Sequence, residues 1–187
     1  MAAGFEEGDL KMARLLGKVL SAVICLTFLA SCASPNALSQ SPTIFLVRHA
    51  EKQPGDDPLL TAEGELRAER LGQLMVEAGV STIYSTQTRR TEATAAPAAD
   101  ALGLEVLSYD AIDMTAFAEQ LKTLSGSVLV VGHSNTTPVL AALLTGRDEG
   151  PWFDEADYES LFRIEVNGAG EAVAYLLSYD SLALSLD

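Results

Sequence analysis

The two histidines of this 187-residue chain both lie at the ends of apolar runs. His49 closes the segment 43–49, and His133 closes the segment 128–133. Short apolar runs rich in β-branched residues predict buried strands. Open α/β sheets place their reactive groups at the carboxyl ends of the strands. We therefore expect the two imidazoles to lie together at one edge of a sheet.

Arginines accompany this pair. Arg48 directly precedes His49, and Arg89 and Arg90 follow a third apolar run that ends at Ser85. A phosphoryl group in transfer spreads negative charge over its oxygens, and the planar guanidinium binds such oxygens with two hydrogen bonds. Imidazole is a nucleophile when neutral and a cationic donor when protonated. Two histidines and two arginines thus predict a phosphate pocket that requires no metal and no cofactor.

The charge balance limits the classes of partner. The chain has 26 acidic and 12 basic residues, with a net charge of −14. Such an acidic surface argues against binding nucleic acid or anionic lipid through a basic face. A protein of this kind that handles phosphate has to concentrate its few cations at one place.

The N-terminal segment predicts export. Lys11, Arg14 and Lys18 precede an apolar run, 19–30, of about a dozen residues, which suits a signal sequence and is short for a membrane-spanning helix. Removing residues 1–31 leaves Cys32 as the single cysteine, so neither an internal disulfide nor a cysteine-based metal site is available.

The junction Leu29-Ala30-Ser31-Cys32 resembles the lipobox of bacterial lipoproteins. The resemblance implies lipidation at Cys32, a tether over 32–42 and a domain over 43–187. Ala33 carries no acidic retention signal, which by the same resemblance implies the outer membrane, with the domain on the periplasmic side. An ordinary signal peptide remains the alternative. The acidic stretch before Met12 is unusual for a signal, so translation from Met1 or from Met12 stays open.

Beyond the tether, strands and helices alternate. We predict a three-layer α/β/α fold with a mostly parallel central sheet, whose last strands are antiparallel. Thr61 is the expected cap of the first helix, whose apolar stripe includes Leu66, and Gly103 is the expected end of the second. The predicted strands cover 43–47, 80–85, 104–107, 127–131, 160–166 and 171–178, and the predicted helices cover 61–77, 89–102, 114–124 and 138–144.

Four motifs in order resemble the histidine phosphatase superfamily, branch 1, the phosphoglycerate mutase-like type. They are Arg48-His49-Ala50-Glu51, Leu60-Thr61-Ala62-Glu63-Gly64, Thr86-Gln-Thr-Arg89-Arg90-Thr-Glu-Ala-Thr94-Ala95 and Val131-Gly132-His133-Ser134-Asn135-Thr136. Ala50 stands where the family usually has Gly, and Thr86 where it has Ser. The resemblance covers nearly the whole domain, from about Thr43 to Tyr179.

The resemblance implies a role for each motif residue. His49 would be the nucleophile that forms a phosphohistidine, Arg48 and Arg90 would bind the phosphoryl group, and His133 would donate to a phosphate oxygen. Arg89 fits less well than Arg90, because the spacing from Ser85 favours the latter.

Two further residues keep alternatives open. Glu51 either orients His49 or Arg48 beside the substrate or is a plain surface carboxylate. Asn135 either lines the pocket and contacts substrate or caps the helix that follows.

The general acid is the least defined part of the site. Protonating an alkoxide leaving group calls for a carboxylic acid near the pocket, and the stretch where many family members supply it offers Asp110 and Asp113. Asp113 is equally suited to cap a helix. The short connection between Leu107 and Met114 leaves little room for a mutase insertion, and the chain resembles the small phosphohistidine phosphatases, whose imidazole leaving group needs less acid assistance.

These observations predict a metal-independent phosphatase acting on a phosphorylated small molecule or phosphoprotein. Two alternatives remain, a non-catalytic phosphate-binding lipoprotein and a phosphoglycerate mutase-type isomerase. An α/β-hydrolase is excluded because its histidine must follow the nucleophilic serine, and no histidine follows Ser134.

Overall fold

The structure, a computed structural model, describes residues 41–186. The predicted signal peptide, Cys32 and most of the tether lie outside the described residues. Within them the chain forms six strands and five helices. In chain order these are β1 Thr43–Arg48, α1 Ala62–Glu77, β2 Val80–Ser85, α2 Arg89–Leu102, β3 Val106–Ser108, α3 Met114–Lys122, β4 Ser127–Gly132, α4 Thr136–Thr145, β5 Ser160–Val166, β6 Ala172–Ser178 and α5 Tyr179–Leu186.

The strands form one sheet in the order β3-β2-β4-β1-β5-β6. The first four strands in that order are parallel, whereas β5 is antiparallel to β1 and β6 is antiparallel to β5. The mostly parallel sheet and its antiparallel end are therefore confirmed. Arg48 is the register partner of Gly132 in the parallel β1–β4 pair. This pairing brings the residues that follow, His49 and His133, to the same edge of the sheet.

The sheet is buried on both faces, because successive side chains of a strand point to opposite sides. Ile44 and Leu46 belong to a core with side chains of α3 and α4. Phe45 and Val47 belong to the opposite core, with side chains of α1, α2 and α5. Each fully buried side chain of this size contributes about 1.5–3 kcal/mol. The predicted three-layer architecture is confirmed, and both cores pack beneath the sheet edge that carries His49 and His133.

Two predicted helix ends are confirmed. The Thr61 hydroxyl caps α1 by accepting a hydrogen bond of 3.2 Å from the Gly64 N–H. Gly103 ends α2 with a left-handed φ of 65°, which glycine adopts without steric cost.

Other details differ from the prediction. Leu66 is 67% exposed, so its place in the apolar stripe of α1 was wrong; Gly64 and Ala68 occupy the buried positions there. Helix α4 begins at Thr136, two residues before Pro138, because proline is compatible with a first helical turn. Helix α5 was not predicted. None of the helices in residues 41–186 combines the length and apolar content needed to cross a membrane.

Candidate active site

His49 lies in the first turn after β1 and is 3% exposed. Its Nδ1 lies 2.8 Å from the Ala50 carbonyl oxygen and therefore carries the proton. The lone pair of a neutral ring is then on Nε2. Burial lowers the pKa of His49 to about 4; the bond to Ala50 opposes this shift, and the charges of Arg48, His133 and Arg90 add to it. The imidazole is thus neutral at neutral pH, the form that acts as a nucleophile.

The turn that carries His49 is held against α2 by a hydrogen bond from its backbone. The Ala50 N–H donates to the Thr94 hydroxyl at 2.9 Å, and the Ala50 side chain is buried against Leu60 and Ala68. A methyl group therefore fits where the family signature usually has glycine. Ala50, whose carbonyl orients the His49 ring, is thus held to α2 by the bond from its own N–H to Thr94.

The motif 60–64 supports the same turn one residue later. The Thr61 N–H donates to the Glu51 carbonyl at 2.9 Å. Gly64 packs so closely that a Cβ there would lie 2.2 Å from the Glu51 carbonyl oxygen. Only glycine fits at this point, so the start of α1 packs directly against the turn that carries His49.

The Glu51 carboxylate points to α1 and does not line the cavity described below. It accepts hydrogen bonds from Arg67, with Nε–oxygen distances of 3.0 and 2.9 Å, and Arg67 also pairs with Glu159. Burial alone would raise the pKa of Glu51, but the hydrogen bonds from Arg67 outweigh it and the pKa is lowered. In this arrangement Glu51 links the turn to Arg67 of α1, away from the cavity.

His133 follows β4, and its ring centroid lies 5.5 Å from that of His49. Its Nε2 lies 3.0 Å from the Thr86 hydroxyl, which itself donates to Thr91, so Nε2–H is the donor. Its Nδ1 faces Nη2 of Arg90 at 3.4 Å. Burial lowers the pKa of His133 to about 4, and the charges of Arg90 and Arg48 contribute. Donation from Nδ1 to a phosphate oxygen therefore requires that the bound anion first raise this pKa.

The Arg48 guanidinium is divided between two tasks. Its Nη1 donates to the carbonyls of Asp154, Glu155 and Asp157 at 2.8, 3.0 and 2.9 Å, and the group lies 4.2 Å over the Tyr158 ring. Its buried Nε has no partner within residues 41–186, and Nη2 has only a 3.5 Å contact with the Tyr158 hydroxyl. Nε and Nη2 are therefore the donors available to an anion.

Arg90, in the first turn of α2, faces the two histidines. Besides His133 it contacts only the exposed Asp57, at 3.5 Å, and its buried Nε has no partner in the described chain. Such an exposed ion pair is weak. Arg89 does not line the cavity, in agreement with the preference for Arg90.

These residues enclose one open cavity of about 430 Å³. Asn135 lines it and makes no capping hydrogen bond, so the pocket alternative describes its position. The sequence analysis did not identify four of the lining residues. The full lining is Arg48, His49, Lys52, Arg90, His133, Ser134, Asn135, Glu155 and Tyr158.

The two aspartates proposed as general acids lie elsewhere. Asp110 accepts a turn hydrogen bond from the Ile112 N–H at 2.8 Å and lines a neighbouring cavity that shares His133. Asp113 caps α3 by accepting from the Ala116 N–H at 3.2 Å. The structure brings neither of them to the cavity of His49.

Within residues 41–186 no cluster of three or more His, Cys, Asp or Glu side chains is arranged to hold a metal ion. The charges available to an anion in the cavity come from Arg48, Arg90 and Lys52.

Comparison with known proteins gives one sequence similarity. The sequence model of the histidine phosphatase superfamily (branch 1) matches residues 44–113. None of the curated proteins matches the chain in sequence.

Solved structures share the fold. The protein histidine phosphatase SixA complexed with tungstate is 18% identical, with a TM-score of 0.59 over 75% of this chain and 99% of that one. Phosphoserine phosphatase from Entamoeba histolytica, in complex with 3-phosphoglyceric acid, is 15% identical, with a TM-score of 0.58 over 75% and 99%. The α-ribazole phosphatase from Shigella flexneri is 17% identical, with a TM-score of 0.56 over 73% and 96%. The chain is therefore similar to the histidine phosphatase superfamily, branch 1, in sequence over residues 44–113, and it shares its fold with solved phosphatases.

Proposed function

We propose that the domain is a metal-independent phosphatase that hydrolyses a phosphomonoester or phosphoramidate through a covalent phosphohistidine on His49. One observation carries the proposal. The Nδ1 proton of a buried, neutral His49 is held by the Ala50 carbonyl, which leaves the Nε2 lone pair for attack beside Arg48 and Arg90. A protein that only binds phosphate has no need for a nucleophile held in this way.

In the first step, Nε2 of His49 attacks phosphorus and the bond from phosphorus to the leaving atom breaks. The electron pair goes to the leaving group. The free donors of Arg48 and Arg90 bind the equatorial oxygens, where the charge develops. His133, once the bound anion has raised its pKa, donates its Nδ1 proton to one of these oxygens.

In the second step, water attacks the phosphohistidine and the N–P bond breaks, returning the electron pair to Nε2. Inorganic phosphate leaves and the neutral imidazole is restored. The Ala50 carbonyl holds the Nδ1 proton in both steps, so the ring keeps one orientation throughout. The arginines stay charged at any working pH.

The substrate class we propose is a phosphorylated small molecule or a phosphoprotein. The cavity is open and close to the surface, and its lining is polar. Similar folds occur in a protein histidine phosphatase and in a phosphoserine phosphatase. Both kinds of substrate would present a phosphoryl group to the same arginines.

The test is release of p-nitrophenol from p-nitrophenyl phosphate by the purified protein in EDTA, wild type beside His49→Ala. We expect metal-independent turnover in the wild type and none in the variant, together with acid-labile phosphate trapped on His49. Full activity in the variant would exclude the covalent mechanism. Phosphate binding without turnover would favour a binding protein, and transfer to a second hydroxyl without hydrolysis would favour a mutase.

We also propose that the mature protein is anchored by lipid at Cys32 on the periplasmic side, in the outer membrane. The basic segment, the apolar run and the lipobox-like junction support this location. Labelling of cells with radioactive palmitate is expected to mark the wild type and not Cys32→Ala. Equal labelling of both proteins, or of neither, would refute the anchor.

A further inference from the structure

We infer that Glu155 is the general acid–base of this site, an inference that rests on the proposed phosphatase function. Among the nine residues that line the cavity of His49 in the described chain, Glu155 alone has a carboxylate. Its side chain makes no hydrogen bond or ion pair within residues 41–186 and is exposed at the cavity. Glu155 thus lines the same cavity as His49, has a carboxyl group without a partner in the described chain, and lies in a loop that carries no family motif.

The backbone around Glu155 is fixed to the catalytic strands. Within residues 41–186, Nη1 of Arg48 donates only to the carbonyls of Asp154, Glu155 and Asp157. The Phe153 N–H donates to the Ser134 carbonyl at 3.0 Å. One contact therefore joins the loop to the residue before His49, and the other joins it to the residue after His133. This anchoring gives the backbone of Glu155 a defined position relative to both histidines.

The other carboxylates near the cavity have partners in the described chain. Asp57 accepts from the Arg89 N–H at 3.0 Å and contacts Arg90. Glu51 and Glu159 both pair with Arg67 on α1. Asp154 accepts from the Ala156 N–H at 2.9 Å, and Asp157 accepts from the N–H groups of Glu159 and Ser160. Each of these groups has a structural partner that would compete for its proton-accepting oxygens.

The proton balance of the reaction follows. When the bond between phosphorus and the leaving oxygen breaks, that oxygen takes the electron pair and accepts the proton of the Glu155 carboxylic acid. The resulting carboxylate then removes one proton from the attacking water while the water oxygen bonds to phosphorus. The acid form of Glu155 and the free His49 are both regenerated. Such proton transfer contributes about 10²–10⁴-fold when the leaving group is a strong base.

The test compares Glu155→Gln with the wild type on phosphate esters of graded leaving-group basicity. The value compared is kcat/KM, because it reports phosphoryl transfer to His49 and not the later hydrolysis. We expect a loss of about a hundredfold or more on an alkyl phosphate such as glycerol phosphate and only a few-fold change on p-nitrophenyl phosphate, whose leaving group needs no proton. A burst of p-nitrophenol should precede slow turnover, since hydrolysis of the phosphohistidine also lacks its base.

The matched control is Glu149→Gln, which removes a carboxylate from the same loop without altering the cavity lining. It should retain wild-type kcat/KM on both esters. An equal loss on all esters in Glu155→Gln, or no loss on the alkyl phosphate, would overturn the inference while wild-type turnover and its dependence on His49 leave the phosphatase intact. Absence of turnover on every ester in the wild type would instead overturn the proposed function itself.

Discussion

The turns that follow β1 and β4 place two histidines with similar surroundings but different supports. Burial lowers the pKa of both His49 and His133 to about 4. The ring of His49 is held by a backbone carbonyl, through one nitrogen only. The ring of His133 is held through both nitrogens by side chains, those of Thr86 and Arg90.

In the proposed mechanism, this difference suits His49 to nucleophilic attack and His133 to a change of protonation when the anion binds. A backbone carbonyl cannot turn away, so the tautomer of His49 is fixed and its Nε2 stays unprotonated. Side-chain partners can yield, and in the proposed mechanism Arg90 also binds the anion. Binding of phosphate would then draw Arg90 away from Nδ1 of His133 and allow that nitrogen to take up a proton. In the proposed mechanism, the same fold thus supplies one fixed nucleophile and one adjustable donor.

The largest expected effect on activity comes from replacing each histidine with glutamine. We expect His49→Gln to lose at least about a thousandfold in kcat/KM and to form no phosphoenzyme, because the attacking atom is gone. His133→Gln should lose about a hundredfold, the effect of removing one donor to a developing oxyanion, and should still form phosphoenzyme on His49. Rapid-quench trapping of labelled phosphate measures both. A phosphoenzyme in His49→Gln would reverse the roles.

The glycines that support the two turns provide the next test. A Cβ at position 64 would meet the Glu51 backbone at 2.2 Å, whereas one at position 132 would meet the hydroxyls of Thr136 and Tyr109 at 2.7 and 2.8 Å. Because backbone yields less than side chains, we expect Gly64→Ala to cost about 3 kcal/mol in the free energy of unfolding and Gly132→Ala about 1 kcal/mol.

Denaturant unfolding measures the two losses. Adding Tyr109→Phe should recover part of the loss in Gly132→Ala, since it removes one of the two hydroxyls. Equal losses in the two glycine variants would mean that the two turns are equally rigid.

The threonines that hydrogen-bond to the two turns provide the third test. Thr86→Val removes the acceptor of the His133 Nε2–H and should lower kcat/KM about tenfold, whereas Thr86→Ser keeps the hydroxyl and should remain near wild type. Thr94→Val leaves the buried Ala50 N–H without its acceptor and should cost about 1–3 kcal/mol of stability. Steady-state kinetics and thermal unfolding separate the two results. Loss of activity in Thr86→Ser would show that the methyl group, not the hydroxyl, is what matters.

The site residues that follow predicted strands could be identified from the sequence. His49, His133, Arg48 and Arg90 follow apolar runs or lie in the first turn after one, so the parallel sheet necessarily gathers them. Glu155 and Tyr158 come from an irregular loop with no periodicity and no motif. That loop reaches the site only because β5 pairs with β1 and because Arg48 binds its carbonyls. No local pattern encodes such a long-range pairing.

The prediction for Leu66 was wrong for a related reason. Hydrophobic spacing placed it on the buried face of α1, but the close approach of Gly64 to Glu51 fixes how the helix lies against the catalytic turn. With that contact made, Ala68 and Leu71 face inward and Leu66 faces solvent. The packing of a functional turn, rather than periodicity alone, set the orientation of the helix.

The last effect is the pH dependence of stability. The pKa of both histidines is about 4 in the folded state and ordinarily 6.5, so between these values the unfolded chain binds more protons. The free energy of unfolding therefore falls as the pH drops from 6.5 towards 4 and is unaffected by these groups above 6.5. The upper limit is about 1.4 kcal/mol per pH unit for each histidine. Urea unfolding of the wild type and of the double variant His49→Gln/His133→Gln over this range measures the contribution. The difference isolates the histidines, because carboxylates such as Glu51 titrate in both proteins. Parallel curves for the two proteins would show that the imidazoles are not held neutral by burial, and the nucleophile of the proposed mechanism would then be charged through most of that range.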